Sequence, residues 1–120
     1  MKFASGFQIA QDRPSGTSAV SAFTASMITE ITRIVICNTT SSSAVFSLYH
    51  DDDGSTFDAT TALHFEQTIP PKTTVVIEAG SIGAGVMVTG AGQIGIQTDT
   101  ANALTFTIYG ITQSVADLAR

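Results

Sequence analysis

Leu104-Thr105-Phe106-Thr107-Ile108-Tyr109 is the stretch that decides the fold. Large apolar residues alternate with threonine. Successive Cβ atoms of a strand point to opposite faces, so this alternation buries Leu104, Phe106 and Ile108 and turns the threonines outward. A helix would need a period of 3.6, and no long segment of the chain shows one.

Working outward, the same period recurs. Val45-Phe46-Ser47-Leu48-Tyr49 puts Phe46 and Leu48 on one face. Ile31 to Cys37 is β-branched and nearly continuous, which predicts a strand covered on both sides. Thr61 to Ile69 places Leu63, Phe65, Gln67 and Ile69 on alternating positions. Thr74 to Glu78, Val86 to Val88 and Gln93 to Gln97 are shorter strands, and Phe7 to Ala10 and Ala19 to Thr24 add two near the start. Turn residues separate these runs: Asn38 to Ser43, the hairpin signal Asp53-Gly54, Pro70-Pro71-Lys72, Gly80 to Gly85 and Gly90 to Gly92. About seven to nine short strands at this spacing predict an all-β chain, a single antiparallel β-sandwich of jelly-roll or Greek-key type. Several strand orders fit the same list. Helix is confined to one turn in the tail 114–120, where Ser114 and Asp117 stand in capping-box positions.

A length of 120 residues suits one domain. The expected division is an N-terminal arm over 1–20, the sandwich over 21–111 and a C-terminal tail over 112–120. The arm and tail are distinguished by Phe3, Phe7, Ile9, Val115 and Leu118, apolar residues suited to ordering against a neighbouring subunit.

Charged residues make up 12% of the chain, about half the usual share, and serine and threonine take their place. That lowers the repulsion opposing assembly. The five basic residues, Lys2, Arg13, Arg33, Lys72 and Arg120, are scattered through a chain of net charge −5. No basic stripe exists to neutralise phosphates, so direct nucleic-acid binding and attraction to an acidic membrane are not expected. The longest apolar run, Ile34 to Cys37, is too short to cross a bilayer, and the start MKFASGFQIAQ lacks a signal-peptide core. Synthesis in a cytoplasm is the expectation. Cys37 alone can form neither an intrachain disulfide nor a cysteine-rich zinc site, and its apolar neighbours predict a buried structural thiol.

The motifs that could carry chemistry fail on context. Gly90-Ala91-Gly92-Gln93-Ile94-Gly95 matches GxGxxG, but a dinucleotide site needs a helix after it, and Ile94 to Thr98 alternates as a strand. Asp51, Asp52, Asp53 and Asp58 supply carboxylates for calcium. Aligning Gly54 with the EF-hand glycine, however, puts Tyr49 and Thr60 at the end ligand positions, so Asp51, Asp53 and Asp58 are candidates for a surface cation only. His50 and His64, with Asp51 or Glu66, lack spacing that implies a zinc site or a catalytic triad, and read as strand-surface histidines. Carboxylate pairs for glycosidic cleavage lack a tryptophan-lined cleft. Asn38-Thr39-Thr40 is a glycosylation sequon that reads more simply as a polar turn. No catalytic residue and no cofactor is expected.

ITRIVICNTT, FSLYHDDDG, TALHFEQTIPPKTTVVIE and LTFTIYGIT, in this order from about Ile28 to Gly110, resemble the small β-sandwich virion accessory proteins of tailed bacteriophages. That group includes capsid decoration (cement) proteins and some tail and fibre modules. The resemblance implies a non-enzymatic virion protein that binds the major capsid protein and itself, as a dimer or trimer on the capsid surface. Phe3, Phe7, Ile9, Val115 and Leu118 are the candidate docking residues. The alternative is a tail or fibre module that binds a host glycan or receptor through the loops at Asp51–Asp58 and Gly80–Gly92, or a head–tail connector component.

Overall fold

A computed structural model of the chain describes residues 7–26, 28–78, 86–88 and 92–113. Among them are nine strands and no helix. They are β1 (Phe7–Asp12), β2 (Val20–Thr24), β3 (Ile28–Asn38), β4 (Ala44–Asp51), β5 (Ala62–Ile69), β6 (Thr74–Glu78), β7 (Val86–Val88), β8 (Gln93–Thr98) and β9 (Leu104–Gln113). Two antiparallel sheets form, one in the order β1-β9-β3-β6 with β7 also on β3, the other β2-β8-β4-β5.

The strand order follows from a single folded ribbon. The chain runs out through β1 to β4, turns at 52–61, and returns with each strand beside its outgoing counterpart. Ala44 pairs with Ile69, Ile34 with Ile77, Thr29 with Val88, Val20 with Ile96 and Phe7 with Gly110. β6 and β7 follow one another along one edge of β3 and share a strand position. Each limb has one apolar face to bury, so the ribbon rolls until those faces meet. The result is a jelly roll.

Between the sheets lie Ile31, Ile34, Ile36, Phe46, Leu48, Ile69, Ile94, Ile96, Leu104, Phe106 and Ile108, all essentially inaccessible to solvent. Phe46 and Phe106 meet edge-on across the core, with ring centroids 6.5 Å apart at 70°. The three apolar residues of Leu104–Ile108 point inward as their alternation predicts.

β3 departs from the sequence reading. It is not covered on both sides: Val35 and Cys37 are only half-buried, on the outer face beside Thr107 and Thr105 of β9 and Val76 and Thr74 of β6. A bulge between Ile31 and Arg33 lets Ile31 and Ile34 both face inward, and the Thr32 hydroxyl there donates to the Tyr109 carbonyl at 3.2 Å. Cys37 is therefore a half-buried thiol rather than a core one. Arg33 lies over the Tyr109 ring on the same outer face, 5.5 Å from its centroid.

The segment read as an N-terminal arm contributes β1, paired to β9 from Phe7 to Asp12, so these residues belong to the sandwich. Ile9 packs against the core and Phe7 stands 62% exposed at the sheet edge. Phe3, Val115 and Leu118 lie outside the described residues, as do the tail 114–120 and most of both glycine-rich segments. Gly92 leads straight into β8, so the GxGxxG stretch opens a strand, as its alternation predicts.

Asn38 closes β3. It is fully buried, and its amide nitrogen donates to the carbonyls of Ser42, Ile69 and Pro70. Its carbonyl oxygen accepts from the backbone N–H and hydroxyl of Thr40. The sequon asparagine is thus wholly engaged as a structural pin between two loops.

Candidate functional site

The outer face of the second sheet carries a groove of about 780 Å³. Three segments build it, and each is held by local chemistry readable in the residues.

The first is the connection 52–61. Asp53-Gly54 makes a turn, but the β4–β5 hairpin is not tight, because the connection continues to 61 and folds back over the sheet. Asp51 organises it: one carboxylate oxygen accepts from the Asp53 N–H at 3.2 Å, the other from the Thr56 N–H at 2.7 Å. Asp58 does the same at the far side, accepting from the N–H and hydroxyl of Thr60. Phe57, between these two anchors, is laid flat on the sheet. Its ring stacks on Tyr49 at 6.0 Å and 29° and occupies the space a Cβ on Gly95 would need, 2.5 Å from that position. Gly95 is therefore required by close approach, not by its backbone angles.

The second is a bulge in β5. Phe46 pairs with Gln67 and Leu48 with His64, so Phe65 and Glu66 together oppose Ser47. Glu66 takes a left-handed φ of 53°, and its N–H donates to the Ser47 hydroxyl at 2.9 Å. The four alternating residues of this strand consequently do not share one face. Ile69 and Leu63 reach the core, while Phe65 is turned out beside Tyr49, with ring centroids 6.5 Å apart at 74°. Sequence reasoning missed Phe65 as a site residue, because its alternation pointed inward and a bulge without glycine leaves little trace.

The third is the β8–β9 turn. Asp99 accepts from the Val45 N–H at 2.8 Å and from the Thr100 hydroxyl at 3.0 Å. Gln97 accepts a hydrogen bond from the Tyr49 hydroxyl on its Oε1 and donates one from its Nε2 to the Thr17 carbonyl. Tyr49 is thereby 1% exposed on a sheet face that would otherwise be open to water.

Of the sequence candidates, Asp51 and Asp58 spend carboxylate oxygens on the loop's own N–H groups, and Asp53 is exposed at its tip. Among the described residues no group of three or more His, Cys, Asp or Glu is arranged to hold a metal. His50 and His64 are half-buried rather than exposed on a strand surface. Their Nε2 atoms are shielded from water without a hydrogen-bond partner, that of His50 lying 3.7 Å from an Asp52 carboxylate oxygen.

The aspartates titrate apart. The Thr56 N–H, followed by that of Asp53, holds the Asp51 carboxyl below the usual aspartate range, and the Thr60 hydroxyl and N–H lower Asp58. Asp53 is raised by its hydrogen bond to Asp51 and by that charge. Stabilisation by the two lowered groups is fully present above the ordinary value of about 3.9 and is lost as pH falls through their folded values. The contribution of Asp53 has the opposite sign: it is present below the ordinary value and lost as pH rises through its own. The Thr56 amide resonance should therefore titrate with a midpoint below that of an unperturbed aspartate. In Asp51→Asn this inflection should vanish, and a midpoint at or above the ordinary value would contradict the assignment.

No protein-family model matches this chain, and no curated protein matches it. Solved structures similar to it include three from infectious bursal disease virus. A chain of the T13 IBDV viral particle aligns over 89% of this chain and 28% of its own length, at 17% identity and a TM-score of 0.43. A chain of the Gx strain aligns over 90% and 30%, at 14% identity and a TM-score of 0.42. One of the Gt strain aligns over 89% and 28%, at 16% and 0.41. This chain spans less than a third of the length of each chain it matches.

Proposed function

We propose that this chain is a non-enzymatic virion structural protein, a capsid decoration protein that binds the major capsid protein and itself on the head surface. The observation that carries the reading is the jelly-roll topology, an architecture used by viral capsid domains among others. Topology alone does not assign a function, and two further features support this one. The sequence resembles phage virion accessory proteins from Ile28 to Gly110. The outer face of the first sheet is also uncharged across its middle, where Gln11, Thr107, Val35 and Val76 stand side by side and Val76 is 46% exposed. On a lattice, symmetric multiplicity converts modest contacts of this kind into stable occupancy.

The proposed contact set is Phe3, Phe7, Val115 and Leu118, with Phe7 62% exposed at the sheet edge and Ile9, packed against the core, supporting β1 beneath it. Because β1 belongs to the sandwich, the informative change is Phe7→Ser rather than removal of the first twelve residues, which would strip a strand from the sheet. Phe7→Ser is expected to lower occupancy on capsids at least about tenfold while leaving the far-ultraviolet spectrum unchanged. Quantitative mass spectrometry of purified virions tests the reading itself. Hundreds of copies, removable without loss of the shell, support decoration. A copy number of about three to a dozen would move the chain to a tail, fibre or connector ring, and absence from particles would refute it.

A further inference from the structure

We propose that the groove on the outer face of the second sheet binds an arginine-bearing peptide segment of a partner protein. The groove's lining supplies aromatic rings set at an angle to one another, three carboxylates and no cation. Phe65, 43% exposed, and the half-buried Phe57 flank Tyr49. Glu66, Asp58 and Asp99 stand around them, and no lysine or arginine lines the groove. The two arginines among the described residues are used elsewhere, Arg13 on the Asn102 carbonyl and Arg33 over Tyr109.

The carboxylates are partly in reserve. Asp58 and Asp99 each spend one oxygen on local groups, and the second oxygen of each, with both of Glu66, has no hydrogen-bond partner among the described residues. Three like charges beside an exposed aromatic ring repel an anion and favour a cation with a face that can stack. A guanidinium meets both demands: its plane stacks on the exposed ring while its N–H groups reach carboxylate oxygens. A lysine ammonium would satisfy the charge but not the flat face.

Two features favour a peptide over a lone side chain. About 780 Å³ exceeds what one arginine side chain fills. Ser47, 4% exposed within the groove, accepts from the Glu66 N–H, yet its own hydroxyl proton has no acceptor among the described residues. A peptide carbonyl would accept it. The inference does not depend on the chain's place in a virion.

The test is an amide-resonance titration of the intact protein with acetyl-Gly-Arg-Gly-amide, and in parallel with the citrulline peptide, which has the same shape without the charge. Saturable shifts confined to Ser47, Phe65, Glu66, Gln97 and Asp99, with binding about tenfold weaker or absent for citrulline, are expected. Phe65→Ala and Glu66→Gln change exposed side chains and should each weaken the arginine peptide about three- to tenfold, with Asp51 and Gly95 resonances unmoved. Equal binding of the two peptides would overturn the proposal. So would saturable binding of a neutral oligosaccharide such as maltotriose with the arginine peptide silent, or no shift in the groove at all. None of these outcomes alters the virion copy number, so this inference and the decoration reading fail separately.

Discussion

Asn38→Asp should destabilise the fold by at least about 3 kcal/mol at neutral pH, a substantial part of the stability of a domain this size. The substitution keeps shape and volume. What changes is that a carboxylate oxygen replaces the amide nitrogen facing the carbonyls of Ser42, Ile69 and Pro70. Three acceptors would then confront a charge with no donor between them, at a site with no exposure to water. Protonation gives the side chain one hydroxyl with which to donate, so the pKa of the new aspartate is raised in the folded state. Its penalty is therefore smallest below the ordinary aspartate value of about 3.9 and grows as pH rises through the folded value. Thermal melts of the variant should show a Tm deficit of roughly 10 °C at pH 7 that narrows toward pH 3. A deficit independent of pH would show that the three carbonyls are not the cause. Asn38→Ala separates the two effects: it should cost less than aspartate at pH 7 and be insensitive to pH.

Gly95→Ala should have the second largest effect, and it bears on the groove. A Cβ at this position would lie 2.5 Å from the Phe57 ring, so the ring must leave the sheet. Phe57 then no longer covers Tyr49, and Asp51 and Asp58 hold a connection that has lost its apolar anchor. The cost is about 2 kcal/mol, from lost aromatic burial and stacking. The chain has no tryptophan, so tyrosine emission comes from Tyr49 and Tyr109 alone, and iodide quenching reads the uncovering of Tyr49 directly. Phe57→Ala should give the same quenching and a similar loss. The double variant should be barely worse than either single one, since both remove one contact. Additive losses would mean that Gly95 acts on something other than Phe57.

The acidic segment shows how far the local residues could be read. Asp53-Gly54 marked a turn correctly, and the aspartates serve the local backbone bonding for which their side chains suit turns. What no pattern announced is that the connection extends to 61 and returns over the sheet. That return is decided by Phe57 finding Gly95, a residue far away in sequence on β8. Phe65 is a parallel case. Period two assigned it to the face of Leu63 and Ile69, and the bulge opposite Ser47, held by a hydrogen bond from the Glu66 N–H, turned it outward. The candidate groove was therefore visible only in fragments, with the Asp51–Asp58 loop legible as a candidate binding loop and Phe65 missed.

By itself the sequence determined that this chain is all-β, where most of its strands run, and that Leu104, Phe106 and Ile108 face a core. These are consequences of alternation, a local property that each strand carries in its own residues. Only the tertiary structure decided the order β1-β9-β3-β6 against β2-β8-β4-β5, the assimilation of Phe7–Asp12 into the first sheet, and the groove itself. Strand order is a choice among pairings that satisfy the same patterns, and it is settled by which roll of the ribbon brings every apolar face together. Bulges and close approaches belong to the same class, because their cause is a partner strand whose identity the local sequence does not contain.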